Sequence, residues 1–175
     1  MILSLALPLA SCGGMSDEEA TLIVKDLVER STVLNEVLYG KGMDYEKSID
    51  GNYSGIYSRV SEDAPFQTKK DLEREIKAVF TSAYANSLIS TAFKLTQGAL
   101  GSNSYPRYQE GSDKVLTVMR DYTAREITEY DFDTIEIKKV RKNKIRATIL
   151  STENEIVEIY IVKELDGWRL DSVTA

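Results

Sequence analysis

The stretch that decides the fold is DFDTIEIKKVRKNKIRATILSTENEIVEIYIVKELDGWRLDSVT, residues 131–174. It contains four short runs in which apolar residues recur at largely every second position, a period that places them on one face of a β-sheet. Polar residues at 141–144 and 152–154 separate the runs, and Asp166 and Gly167 stand where a two-residue hairpin loop favours a positive φ. The stretch therefore predicts a four-stranded antiparallel meander, in which each strand pairs with the next.

Composition limits the kind of protein this chain can form. It has 175 residues, of which 42% are hydrophobic, and this is enough for one domain with a buried core. The net charge of −6 argues against a nucleic-acid partner, because binding to phosphates needs a positive surface. There is no histidine, so the usual general base and most zinc sites are missing. We expect a protein that is not an enzyme and has no cofactor and no metal site.

The first helical pattern begins at Ser16, a capping residue followed by three acids that suit the positive end of a helix dipole. Apolar residues then recur along one helical face to about Tyr39. Residues 53–60 predict a short extended piece before the next helix.

The second helical pattern begins at Thr68, which has the spacing of a capping residue relative to Asp71. Thr81 and Ser82 separate it from a third helix that ends near Gly98. A strand at 115–118 follows, so five antiparallel strands are expected to close the chain.

Residues 97–113 are rich in glycine and serine and predict the longest loop of the chain. Compact domains seldom keep so long an irregular segment without a use for it, such as binding. Tyrosine and arginine are enriched in the residues that dominate protein interfaces, so Tyr105, Arg107 and Tyr108 are the predicted anchors of a protein partner. The alternative is a surface loop in which Tyr105 tucks back onto the core.

Charged clusters suggest two further sites. Cations at 138–146 form a basic patch that could face anionic lipid or teichoic-type polymers, although a charged hairpin also keeps a strand edge from aggregating. Asp131 and Asp133, with Glu126 and Glu129 nearby, could form a carboxylate site. The absence of histidine makes an enzyme built on these acids the least favoured reading.

The first residues resemble the leader of a bacterial lipoprotein. Leu9-Ala10-Ser11-Cys12 resembles the lipobox, in which the leader is cut before the cysteine and the thiol receives diacylglycerol. The resemblance implies a signal peptide and tether over residues 1–15, a lipid anchor on Cys12, and an extracytoplasmic domain over residues 16–175. No Lys or Arg precedes the apolar run, which leaves open a start upstream of Met1. The alternative is a buried apolar segment with an incidental cysteine.

The order of elements, helices first and a meander ending in Asp166-Gly167-Trp168-Arg169-Leu170, resembles the cystatin-like and nuclear-transport-factor-2-like cone folds. The expected fold class is α+β, with helices on one face of a strongly twisted antiparallel sheet. Cone folds often have a pocket between sheet and helices, so a small-molecule-binding domain is one expectation. The residues expected to line that pocket are Tyr84, Phe93, Tyr122 and Trp168.

A narrower resemblance involves residues 39–84. The words Tyr39-Gly40-Lys41-Gly42, Tyr57-x-x-Val60 and Phe66-Gln67-Thr68-Lys69-Lys70-Asp71-Leu72, followed by Val79-Phe80-Thr81-x-x-Tyr84, resemble the secreted inhibitors of bacterial D,L-endopeptidases. Members of that family are small exported proteins that cover the cysteine active site of cell-wall hydrolases. The resemblance implies a binding protein outside the membrane whose partner is a cell-wall hydrolase.

Overall fold

The computed structural model describes residues 15–46, 56–94 and 105–172. None of the helices in these residues has both the length and the apolar character of a membrane span. In chain order the elements are α1 (Asp17–Leu38), β1 (Tyr57–Arg59), α2 (Lys69–Val79), α3 (Ser82–Phe93), β2 (Tyr108–Glu110), β3 (Leu116–Met119), β4 (Tyr130–Arg141), β5 (Lys144–Ser151), β6 (Ile156–Glu164) and β7 (Gly167–Leu170).

The α+β class is confirmed, with three helices and two antiparallel sheets in the described part of the chain. The larger sheet has the order β4-β5-β6-β7 and is the predicted meander. Its last loop lies one residue earlier than predicted, because Glu164 pairs with Gly167 and leaves Leu165 and Asp166 as the two loop residues. Gly167 alone has a positive φ there, 148°.

The prediction of five strands in one sheet is wrong. β3 exists, but it lies between β1 and β2 in a separate sheet of order β1-β3-β2. Tyr57 and Tyr108 pair with Met119 and Val118 on its two sides. The predicted loop at 97–113 is also shorter than expected, since β2 occupies part of it, while residues 95–104 lie outside the described residues.

Each of the first two helices begins where its sequence signal lies. The Ser16 side chain accepts a hydrogen bond from the Glu19 backbone N–H, and the Glu19 carboxylate accepts one from the Ser16 N–H. Thr68 caps α2 in the same way by accepting from the Asp71 N–H. These bonds satisfy donors that a helix start would otherwise leave unpaired.

The core lies between the three helices and one face of the larger sheet. Its sheet side consists of alternate residues of β5 and β6, and the intervening residues of those strands are exposed or half-buried. The helical side is joined to the last strand at Phe80, which forms a parallel bridge with Leu170. The buried sheet residues of β5 to β7 include Ile145, Ala147, Ile149, Ile159, Ile161 and Leu170.

Candidate functional site

The predicted partner anchors lie at the start of β2, where the smaller sheet meets the end of α1. Tyr105 is 41% exposed, but Arg107 and Tyr108 are only 1% and 0% exposed. The chain therefore turns inward after Tyr105, so that Arg107 and Tyr108 are buried. The alternative prediction, in which Tyr105 itself packs on the core, does not describe this arrangement. Of the three anchors, Tyr105 is the one whose side chain can reach a partner in this conformation.

Arg107 is a buried cation held by backbone and ring contacts. Its Nη2 donates a hydrogen bond of 2.7 Å to the Gly40 carbonyl. The guanidinium carbon lies 3.6 Å from the centroid of the Tyr122 ring, within the range of a cation–π contact. Within the part of the chain that the structure describes, Nε and Nη1 have no hydrogen-bond partner, and no acid forms an ion pair with the side chain. Arg107 is therefore a charge whose burial is only partly compensated.

Gly42 makes room for this arginine. Its φ is +88°, a conformation that side chains disfavour, and a Cβ built there would lie 2.5 Å from Arg107 Nη2. A glycine is therefore required at position 42 by the packing of Arg107, a residue more than sixty positions later in the chain.

Tyr108 ties the same strand to α1 through its hydroxyl. The hydroxyl donates to the Val37 carbonyl at 2.7 Å and accepts from the Met43 N–H at 3.3 Å. Burial raises the pKa of this phenol above its ordinary value, with the Arg107 charge acting in the opposite direction. The two hydrogen bonds and the burial indicate that Tyr108 stabilises the packing of the smaller sheet against the end of α1.

The four predicted pocket residues lie in different places. Phe93 and Tyr122 join the anchors, since the Phe93 ring centroid lies 6.4 Å from that of Tyr108 and Tyr122 lies against Arg107. Trp168 lies on β7 with the Lys163 amine 5.6 Å above its ring, and it lines a shallow hollow of about 350 Å³ against α1. Tyr84 is a half-buried residue of α3 that packs on the core. The structure does not bring these four side chains around one cavity among the described residues.

A second tyrosine of the smaller sheet, Tyr57, contacts the backbone next to Tyr105. The Tyr57 hydroxyl donates to the Pro106 carbonyl, so β1 holds the residue between Tyr105 and Arg107. Burial raises the pKa of Tyr57 to about 12 from an ordinary 10.0, an effect that a hydrogen bond with Gln109 opposes. Residues 106–108 are thus fixed by contacts to β1, to the end of α1 and to Gly40 just after it.

These tyrosines predict a loss of stability in alkali. A raised folded pKa means that the stabilisation is fully present below the unfolded value of 10.0 and is lost as the pH rises toward about 12, because the unfolded phenol ionises first. Tyr39, Tyr108 and Tyr130 act in the same direction, since burial raises the pKa of each. Urea unfolding across this pH range should show the decline. The slope should be smaller in Tyr57→Phe, and an unchanged slope would contradict the assignment to Tyr57.

A larger cleft, which sequence reasoning missed, lies beside the C-terminal end of α1. It has a volume of about 1060 Å³ and is formed by the end of α1, residues 124–129 and the β5–β6 loop. Residues 124–129 are held there by a 2.8 Å hydrogen bond from the Arg125 N–H to the Tyr39 carbonyl. No local signal could reveal this cleft, because its acids come from three distant parts of the chain. These acids are Glu36, Glu126, Glu129, Glu153 and Glu155.

The proposed carboxylate site is only partly assembled. Glu126 and Glu129 line the cleft, whereas the exposed Asp131 uses one carboxylate oxygen to accept a hydrogen bond of 3.1 Å from the Asp133 N–H. Within the described ranges, no group of three or more acids or cysteines is arranged to hold a metal ion. Cys12, the predicted lipidation residue, lies outside the described residues.

A comparison of the chain with models of known protein families and with the sequences of curated proteins found no match. The class of protein is therefore defined by its fold alone, an α+β domain with three helices and two antiparallel sheets over the described residues.

Proposed function

We propose that the chain is a lipid-anchored extracytoplasmic binding protein, attached to the membrane through Cys12, that inhibits or regulates a cell-wall D,L-endopeptidase. The helices on one face of a four-stranded meander support a cystatin-like or nuclear-transport-factor-2-like cone as the framework. The lipobox-like residues before Cys12 support the location, and the resemblance of residues 39–84 to secreted inhibitors supports the partner class.

The observation that carries this proposal is the rigid mounting of an exposed aromatic side chain. Tyr105 is followed by Pro106, whose carbonyl is held by Tyr57, and by the buried Arg107 and Tyr108. A side chain presented from a fixed backbone loses little conformational freedom on binding, so more of its contact energy appears as affinity. Tyrosine adds a large contact area and a polar tip with only two rotatable bonds. Tyr105 is therefore our proposed contact residue.

The first test replaces Tyr105 by alanine. We expect about 30-fold weaker inhibition of a purified cell-wall D,L-endopeptidase, the loss typical of a central aromatic contact. The measurement is the inhibition constant, obtained with the chain beginning at Gly13. All helices and strands that the structure describes lie between Asp17 and Leu170, so this truncation removes none of them. Folding should be unchanged, because Tyr105 lies at the surface.

Tyr160→Ala is the matched control for this test. Tyr160 is also 41% exposed, but it lies on the outer face of the larger sheet with Arg146 and Glu158. Its loss should leave inhibition unchanged. Equal inhibition by the Tyr105→Ala variant would remove this contact from the proposal, and absence of inhibition by the unmodified chain would overturn the hydrolase assignment.

A small-molecule-binding domain is the second candidate function, and the cleft beside the β5–β6 loop favours it. Its volume of about 1060 Å³ is comparable to that of ligand pockets. A ligand that binds only the folded state raises the melting temperature by mass action. A thermal-shift screen should then find a ligand whose effect is lost in Glu36→Gln, a substitution that changes the lining of the cleft.

A further inference from the structure

The meander brings two hairpin loops together at one end of the larger sheet. The β4–β5 loop lies at residues 142–143 and the β6–β7 loop at residues 165–166, and both are at the same end because the strands alternate in direction. A 2.9 Å hydrogen bond from the Lys163 N–H to the Asn143 carbonyl joins them. With Lys77 and the start of α3 they enclose an open hollow of about 1320 Å³.

Positive charge exceeds negative charge at this end of the sheet. None of the six cations there forms an ion pair with a residue that the structure describes. Of the two neighbouring acids, Asp166 pairs with Arg169 at 2.9 Å, and Glu164 accepts from the Ser82 N–H and hydroxyl, so the six cations outnumber the acids there. We call this surface the basic end; its cations are Lys77, Lys139, Arg141, Lys142, Lys144 and Lys163.

Protection of a strand edge does not account for the whole cluster. β4 is an edge strand, so Lys139 and Arg141 could serve to keep it from pairing with another chain. Lys144 and Lys163, however, lie on the inner strands β5 and β6, and Lys142 lies in a loop. Not every cation near these loops lacks a partner, since Arg146, which lies opposite Lys139, contacts Glu158 at 2.6 Å. The cations of this sheet that lack an ion pair with a described residue are thus grouped near the β4–β5 and β6–β7 loops.

An apolar side chain stands in the middle of these charges. Leu165, in the β6–β7 loop, is fully exposed and lines the same hollow as Lys142 and Lys163. A single exposed leucine is ordinary, but its position among unpaired cations is typical of surfaces that enter the interface of a bilayer. There the cations meet anionic headgroups and the apolar side chain enters the acyl boundary.

We propose that the basic end docks on the surface of an anionic lipid bilayer, with Leu165 inserted between the headgroups. The charge distribution orients the domain, because the β5–β6 loop at the opposite end of the sheet carries Glu153 and Glu155, which the same surface repels. The eight residues of β5 separate the two ends by about 26 Å, beyond the screening length at physiological salt. The domain thus stands with its acidic cleft away from the lipid.

The test measures co-sedimentation of the chain beginning at Gly13 with vesicles of phosphatidylcholine, with and without phosphatidylglycerol. We expect binding to the vesicles that contain phosphatidylglycerol and its decrease at high salt. The triple variant Lys142→Gln, Lys144→Gln, Lys163→Gln should bind about 100-fold more weakly, since each cation near such a surface contributes a similar increment. All three side chains are exposed, so the variant should fold as the unmodified chain does.

The matched control removes the same charge elsewhere. Lys41→Gln, Lys70→Gln and Lys94→Gln also neutralise three exposed lysines for which no ion pair with a described residue exists. This variant should keep its affinity for the vesicles. Equal weakening of both triple variants would overturn the proposal, because it would assign the effect to net charge alone. Absence of binding by the unmodified chain would overturn it as well.

Leu165→Ala separates a bilayer from a soluble polyanion. Insertion predicts about tenfold weaker vesicle binding in this variant, because buried methylene groups are lost. Leu22→Ala is the control: it alters an exposed leucine of α1, outside the basic end, and should have no effect. Inorganic polyphosphate is the soluble polyanion for comparison. If the chain binds polyphosphate as tightly as it binds vesicles, and Leu165→Ala weakens neither interaction, the surface is assigned to a polymer. That result would overturn the bilayer proposal. None of these outcomes bears on inhibition through Tyr105.

Discussion

Phe80→Ala is expected to lower the free energy of unfolding by about 3–5 kcal/mol, the usual loss for a buried phenylalanine. Phe80 is fully buried at the junction of α2 and α3. Its N–H donates to the Ile76 carbonyl at 3.0 Å, and the next N–H, of Thr81, donates to the Leu170 carbonyl at 2.9 Å. The ring therefore fills the place where both helices meet the last strand, and its removal leaves a cavity that the hydrogen-bonded backbone cannot close.

Urea unfolding followed by circular dichroism measures this loss. Leu165→Ala is the control, because that side chain is fully exposed and its truncation should change stability by less than about 0.5 kcal/mol. A loss below about 1 kcal/mol in Phe80→Ala would contradict the packing described for this junction.

Arg107→Ala is expected to cost about 3 kcal/mol, while Arg107→Met should lie within about 1 kcal/mol of the unmodified chain. Both variants lose the cation–π contact with Tyr122 and the hydrogen bond to Gly40. Both also relieve the desolvation of a guanidinium that has two unpaired nitrogens. Methionine keeps most of the volume and packs well against an aromatic ring, whereas alanine leaves a cavity.

The comparison of the two variants decides what the buried arginine contributes. Stability from urea unfolding is again the measurement, with Tyr105→Ala as a neighbouring control at an exposed position. If Arg107→Met proves as unstable as Arg107→Ala, the fold requires the charge itself, and the volume argument is wrong.

Much of the secondary structure followed from short-range patterns. Ser16 and Thr68 marked two helix starts because a capping side chain binds an N–H only three residues away. Alternation marked β4 to β7 because neighbouring side chains of a strand point to opposite faces. The last loop was placed one residue late, since the pattern of Asp166 and Gly167 does not specify which residues of the turn pair across it.

The candidate sites were less predictable. Tyrosine and arginine at 105–108 have the composition of an interface, but the same side chains can fill a core when backbone carbonyls and rings accept them. Whether Arg107 is exposed depends on Gly40 and Tyr122, which are far from it in sequence. The acidic cleft depends in the same way on α1 and a loop more than a hundred residues later.

The sequence by itself determined the three helices, the caps of the first two and the meander, because each of these depends on residues within a few positions of one another. Only the tertiary structure decided that β3 joins β1 and β2, that Arg107 is buried, and that Lys142, Lys163 and Leu165 share one end of the molecule. These outcomes depend on which distant backbones pair and pack. Strand alternation specifies the faces of a strand, but it does not specify the strand's neighbours.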